Sequence, residues 1–198
     1  MKRTWVLASF GDIRDFGTWE YRAATPPEVK EPFILRFYET MQAYVRKHTE
    51  VHFKYEGDGF LVIREFSAAE RSTQAILKHL KDLHSFINQI KKDFNILDYP
   101  SLDNFIIRHF SGHVYKLRVL DPNDPKRKRL TNEFVGYVIN AAHRLLEVNP
   151  DVTCLASEGV IKSLNKHKSF VIKPLGAPSC YPKSMNREDV DKLQIIKW

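Results

Sequence analysis

Two runs, Val51 to Tyr55 and Phe60 to Phe66, flank the short segment Glu56-Gly57-Asp58-Gly59. Apolar and β-branched residues on either side of a Gly-Asp turn spell a β-hairpin. Strands joined by so tight a turn pair antiparallel, so the sheet that contains them cannot be all-parallel. A second acidic segment, Phe10-Gly11-Asp12-Ile13-Arg14-Asp15-Phe16, ends the apolar run Thr4 to Phe10, which reads as a first strand. Each segment presents one carboxylate at a strand end. Two such carboxylates brought together can hold a pair of divalent cations, and paired cations suit chemistry on phosphates. Asp12 and Asp58 are the candidates for that pair. Asp and Gly are also common turn residues, so either segment alone reads as an ordinary turn, and the case for a metal pair rests on what accompanies them.

The rest of the chain supplies helices to cover such a sheet. Phe33, Phe37, Met41, Tyr44 and Val45 recur at helical spacing up to Lys47, behind Pro26, Pro27 and Pro32. A long helix is expected from Ser67 to about Phe94, with Ile76, Leu80, Leu83, Ile87 and Ile90 on one stripe. Phe105 to Val119 reads as strand broken at Ser111-Gly112, and Asn132 to Val148 as a helix closed by Asn149-Pro150. A strand over Val152 to Ala156, a helix over Glu158 to Leu164, and strands at Ser169 to Lys173 and Leu193 to Lys197 complete the order β-α-β-β-α-β-α-β-α-β-β. The expected class is α+β, a mixed or antiparallel sheet covered by helices, with residues 1–198 forming one domain. The tail from Ala177 to Trp198 has no assigned role.

A formal charge of +7 and a pI near 9.3 favour a polyanionic partner. The densest basic run, Lys126-Arg127-Lys128-Arg129, follows the Asp- and Pro-rich stretch 121–125 and so lies in a surface loop. It suits a solvated loop or one facing a triphosphate. Aromatic residues do not interleave with the cations as a base-stacking platform requires, which argues against nucleic acid. Apolar stretches such as Phe105-Ile106-Ile107 are too short to span a bilayer, and the N-terminal run offers no signal-peptide cleavage region. Cys154 and Cys180 form no metal-ligand spacing and no disulfide framework, so a reducing cytoplasm is expected.

Three ordered motifs resemble those of class III nucleotidyl cyclases, which make cyclic nucleotides from nucleoside triphosphates. Phe10-Gly11-Asp12-Ile13-Arg14-Asp15-Phe16 matches the family's Phe-x-Asp-Ile-x-x-Phe strand end. Lys54-Tyr55-Glu56-Gly57-Asp58 matches its Lys-x-x-Gly-Asp hairpin, with Asp12 and Asp58 46 positions apart, as in the family. Gly136 to Arg144 is similar to its Gly-x-x-x-Asn-x-x-x-Arg helix, and Phe110-Ser111-Gly112-His113-Val114 to the strand and turn before its dimerisation arm. The resemblance covers residues 4–173 and implies a ferredoxin-like palm core with helices packed on it, in a head-to-tail homodimer. It further implies that Asp12, Asp58 and the Ile13 carbonyl hold two divalent cations, Mn²⁺ or Mg²⁺. Arg144 would stabilise charge on the α-phosphoryl group, and Asn140, one helical turn earlier, would orient the ribose. Phe10, Ile13, Arg14 and Phe16 belong to the segment expected to bind the substrate. The two halves of each site come from different protomers: Asp12 and Asp58 from one, Lys54, Asn140 and Arg144 from the other.

The family reads purines with the motif lysine and with an Asp three residues before the glycine of the third motif. Lys54 keeps the first, but Glu133 stands at the second, one methylene longer, beside Phe134. A longer acid takes up room, as do Phe53, Tyr55 and Phe134, which suits a pyrimidine. A carboxylate can accept from uracil N3–H while Lys54 donates to a uracil carbonyl. The departures from the family pattern resemble bacterial pyrimidine cyclases of anti-phage (Pycsar-type) defence, which signal with cyclic UMP or cyclic CMP to a separate cyclic-nucleotide-responsive effector. UTP is the favoured substrate, with CTP and ATP as alternatives and a catalytically inactive cyclase-like sensor as a fourth. Asp15 stands where the family has a small residue, and Arg108 where it often has glycine. Arg108 is expected to line the base pocket or to bridge to a surface acid. Neither a nucleic acid nor a membrane partner is expected.

Overall fold

The computed structural model describes residues 1–14, 16, 27–71, 73–96, 105–121, 126, 130–164 and 170–197. Asp15, Pro26, Ser169 and the basic residues 127–129 lie outside the described residues.

Strand β1 (Lys2–Ile13) is the organising element. It pairs antiparallel with β3 (Gly59–Phe66) on one side and with β4 (Phe105–Leu120) on the other. Val6, Leu7 and Ala8 are all fully buried, which a strand requires only when both faces of its sheet are covered. Leu7 and Ile13 point into a core layer with helices α1 (Pro27–Lys47) and α2 (Thr73–Ile96), where Phe33, Met41, Ile76 and Leu80 pack. Val6, Ala8 and Phe10 point the other way, onto Val138, Ala141 and Ala142 of helix α3 (Tyr137–Arg144). Asp12 follows Phe10 at a spacing of two and so belongs to the α3 face. The expected stripe Ile76, Leu80, Leu83, Ile87 and Ile90 is buried throughout.

The remaining elements are β2 (Val51–Glu56), β5 (Leu130–Val135), a 3₁₀ turn (Leu145–Glu147), β6 (Cys154–Ala156), α4 (Glu158–Leu164), β7 (Val171–Pro174), α5 (Arg187–Asp191) and β8 (Gln194–Lys197). The sheet runs β2-β3-β1-β4-β6-β8-β7, with β5 paired to β4. Among the described residues only β4–β6 is parallel, so the sheet is mixed, one of the two forms the hairpin left open.

Three expectations are corrected. Strand β4 runs through Ser111-Gly112 without a break, because those residues remain paired to Leu7 and Val6 of β1. Residues 130–135 are strand rather than the start of a helix; Phe134 pairs with Lys116 and Glu133 with Leu117, and Gly136 (φ 155°) turns the chain into α3. Helix α2 begins at Thr73 rather than Ser67, because Ser67 and Glu70 bond each other reciprocally through side chain and backbone in a separate turn. Helix α1 also starts earlier than its apolar stripe, at Pro27, a residue suited to the first helical position. The tail holds α5 and β8, and places β8 between β6 and β7.

Candidate active site

The two carboxylates meet at one end of the sheet. Asp12 pairs in register with Gly59, and the Ile13 amide donates to the Asp58 carbonyl at 3.3 Å. Gly57 and Asp58 form a two-residue hairpin turn; Gly57 adopts φ 68°, which glycine takes without strain, as a type II′ turn asks of its first central residue. Tyr38 of α1 donates its hydroxyl to the Gly57 carbonyl at 3.4 Å, tying this turn to the helical layer. The strands approach closely here: a Cβ on Gly11 would sit 2.5 Å from the Phe60 ring.

Asp12 is pushed up from the ordinary 3.8 to about 7, first by burial and then by the neighbouring Asp58 charge; Arg14 and Arg108 pull it down less strongly. A half-buried carboxylate facing a second one is the electrostatic condition that a bound cation relieves. Among the described residues no group of three or more His, Cys, Asp and Glu could hold a metal. The Asp12–Asp58 pair, supplemented by backbone carbonyl oxygen, fits hard oxygen-seeking cations that retain other ligands, as Mg²⁺ and Mn²⁺ do.

Arg14 reaches Asp151 at 3.4 Å, a pair whose acid is 99% exposed and whose contribution to stability is correspondingly small, at most ~1 kcal/mol. Phe16 packs its ring on Phe33, centroids 5.8 Å apart, and Phe10 lies against His143 of α3 at 4.8 Å.

Lys54 of β2 and Glu133 of β5 form a close ion pair. Lys54 lies on the same sheet face as Leu61, its partner in β3, and β5 folds across that face. Phe134 stacks edge-on to His52 at 4.5 Å, under the Lys116 ammonium. Lys116 is itself paired with Glu65, which also accepts from Thr4 at 3.1 Å. Asn140 and Arg144 lie exposed on one face of α3, and Arg144 bonds Glu147 at 3.0 Å. The structure therefore groups the candidates as three sets: Asp12 with Asp58, Lys54 with Glu133, and Asn140 with Arg144.

Arg108 does neither of the things expected of it. It is 0% exposed and its guanidinium faces carbonyl oxygens of residues 145–153, not a base pocket or a surface acid. Burial lowers its affinity for its proton, to about 10. A lone arginine inside the apolar run Phe105-Ile106-Ile107-Arg108-His109-Phe110 was the available signal, since a buried cation must find oxygen partners. His109, also buried, bonds Ser9 at 2.7 Å and is held neutral by burial, its value lowered to about 3.

Comparison with known structures gives the fold its class. The chain is similar to the adenylyl cyclase CyaB from P. aeruginosa, with a TM-score of 0.68, 15% identity, and coverage of 99% of this chain and 95% of that one. It is similar to the guanylate cyclase domain of RhGC from Catenaria anguillulae in complex with GTP, with a TM-score of 0.62, 18% identity, and coverage of 99% and 97%. It is also similar to the guanylyl cyclase Cya2, with a TM-score of 0.60, 16% identity and 89% of each chain covered. The fold is that of class III nucleotidyl cyclase domains. No protein-family model matches the sequence, and no curated protein matches it. Among the described residues no helix is long and apolar enough to cross a membrane.

Proposed function

We propose that this chain is a pyrimidine nucleotide cyclase that converts UTP to 3′,5′-cyclic UMP and pyrophosphate, in a cytoplasmic homodimer with two shared sites. Residues 1–198 act as one catalytic domain. The observation that carries the pyrimidine reading is the Lys54–Glu133 pair. The two residues that face a base in such a site are already in contact within one protomer, hemmed by Phe134 and His52. Little room is left for a purine, whereas uracil can donate N3–H to Glu133 and accept from Lys54 at a carbonyl. CTP is the nearest alternative. The purine reading draws on the solved neighbours, one of which holds GTP.

In this reading Asp12, Asp58 and the Ile13 carbonyl hold two divalent cations, Mn²⁺ or Mg²⁺. Bound there, the cations lower the pKa of the ribose 3′-hydroxyl and offset the triphosphate charge. Arg14, whose ion pair with Asp151 has a fully exposed acid, turns to the phosphates, and Phe10 and Phe16 anchor the strand end on either side of it. Asn140 of the partner protomer orients the ribose. The 3′-hydroxyl gives up its proton to solvent as its oxygen attacks the α-phosphorus in line, the bond to the β-phosphate oxygen breaks, and pyrophosphate leaves with that electron pair. Arg144 of the partner protomer stabilises the charge that builds on the α-phosphoryl oxygens. The cyclic product serves as a messenger in anti-phage defence, read by a separate effector.

The test is incubation with each of the four ribonucleoside triphosphates and Mn²⁺, with identification of the products. Cyclic UMP as the main product is expected. A cyclic purine as the main product overturns the pyrimidine assignment, and absence of any cyclic product leaves a cyclase-like sensor as the reading.

A further inference from the structure

Arg108 sits in the strand adjacent to the one that carries Asp12, paired in register with Phe10. Its side chain crosses toward the end of α3 and spends every donor on main-chain oxygen. Nε donates to Leu145 O at 2.8 Å. Nη1 donates to Val152 O at 2.8 Å, Ile107 O at 3.0 Å and Thr153 O at 3.4 Å. Nη2 donates to Val148 O and Asn149 O, each at 3.3 Å. Leu145 is the residue immediately after Arg144. Carbonyls at a helix C-terminus lack partners within the helix and carry its negative dipole end, so a cation held there is favourable. Among the described residues, no ion pair neutralises Arg108.

Lone buried cations are costly, and a hydrophobic residue could fill the same space. The six carbonyls belong to β4, the 3₁₀ turn and the loop that follows it. That set includes the backbone that fixes where α3 ends and hence where the Arg144 side chain starts. We propose that Arg108 is a positioning residue for Arg144: it fixes the α3 C-terminal end to the sheet so that Arg144 meets the α-phosphoryl group in the neighbouring protomer's half-site. The proposal rests on the shared-site cyclase reading given above.

Mixed dimers separate this role from general core support. Arg108→Met removes the donors; Arg108→Lys keeps the charge on a point donor and serves if the methionine variant does not fold. As homodimers, the variants lose roughly tenfold or more in kcat while KM for the nucleotide changes by less than about threefold. Mixed with Asp58→Ala chains, an Arg108 variant supplies intact metal carboxylates to an intact Arg144 half, so activity recovers. Mixed with Arg144→Ala chains it does not, because both sites then hold both carboxylates but one lacks Arg144 and the other depends on the misplaced Arg144. Recovery with both partners, with neither, or only with Arg144→Ala chains overturns the proposal. The Asp58→Ala and Arg144→Ala mixture is the control, and if it recovers nothing the shared-site reading falls and the proposal with it. Independently of turnover, amide exchange in the Arg108→Lys variant is expected to accelerate about tenfold across residues 145–153 while β1 and β3 keep their protection. Equal acceleration in β1 and β3 makes Arg108 a general prop and overturns the assignment.

Discussion

The ammonium of Lys54 donates to the carboxylate of Glu133 across 79 residues of sequence, joining the edge strand β2 to the β5 arm. Both side chains keep a third or more of their surface in solvent, so the pair contributes at most ~1 kcal/mol to stability and is available for exchange with a ligand. Lys54→Met is therefore expected to leave thermal unfolding nearly unchanged. Its kcat/KM for the preferred nucleotide should fall on the order of tenfold or more, the loss of one charged hydrogen bond to the base. Glu133→Asp withdraws the carboxylate by one methylene, and steady-state kinetics with UTP and ATP should show the UTP:ATP selectivity ratio falling. An unchanged ratio would mean that Glu133 does not face the base.

Asp12 predicts how the metal-free protein responds to pH. Its folded pKa, about 7, lies above the ordinary 3.8. Its contribution to stability is therefore complete below about pH 4 and is lost as pH rises toward 7, with a size on the order of 2 kcal/mol once solvent screening is allowed for. Thermal melts in the presence of a chelator should show this decline, and Asp12→Asn should flatten it. Divalent cations compete with the proton for the same carboxylate. Their affinity, followed by calorimetry, should fall about tenfold per pH unit below 7, with filling of the site releasing about one proton in all near pH 6, that of Asp12.

Gly11→Ala places a methyl 2.5 Å from the Phe60 ring, against a buried aromatic in the helical core layer. Overpacking of this kind costs about 1–3 kcal/mol. Because Gly11 precedes Asp12, cation affinity should drop together with the denaturation midpoint. A second-site Phe60→Leu change should restore part of both.

The tail is structural. Leu193 and Val190 are buried in the α3-side core, and Ile196 reaches the opposite layer. Tyr137, the first residue of α3, donates to Asp189 at 2.8 Å and accepts from the Asn186 amide at 2.9 Å. Leu193→Ala is expected to cost about 2–5 kcal/mol by chemical denaturation, and Tyr137→Phe about 1 kcal/mol.

The central hairpin ruled out an all-parallel sheet, and the helix stripes were legible in their apolar spacing; the parallel β4–β6 pair that makes the sheet mixed was not. The motif residues that the structure gathers into three sets were visible as motifs, because their chemistry depends on local turns and on one helical turn. What escaped was set by distant partners. Residues 132–135 read as helix because their pairing with β4 is tertiary, and Ser111-Gly112 read as a break because nothing local reveals that β1 holds them in line. Arg108 looked like a pocket residue until the carbonyls it serves, from a segment some forty residues away, were in place. In the tail the strand expected at Leu193 to Lys197 is there as β8, but the five-residue helix α5 was not read, being too short to show a periodic stripe.

The β1 ladder has a consequence for how this chain tolerates change. Twelve residues of β1 are paired to β4 and eight of them also to β3, one register for both sides. Side chains alternate across such a ladder, so a single residue inserted between Val6 and Asp12 would turn the carboxylate away from the α3 face and into the layer of Phe33 and Met41. Substitution perturbs one contact at a time, but a change of length reassigns every side chain beyond it. In a library of variants, point changes along this strand should survive in number, while single-residue insertions and deletions should be almost uniformly null.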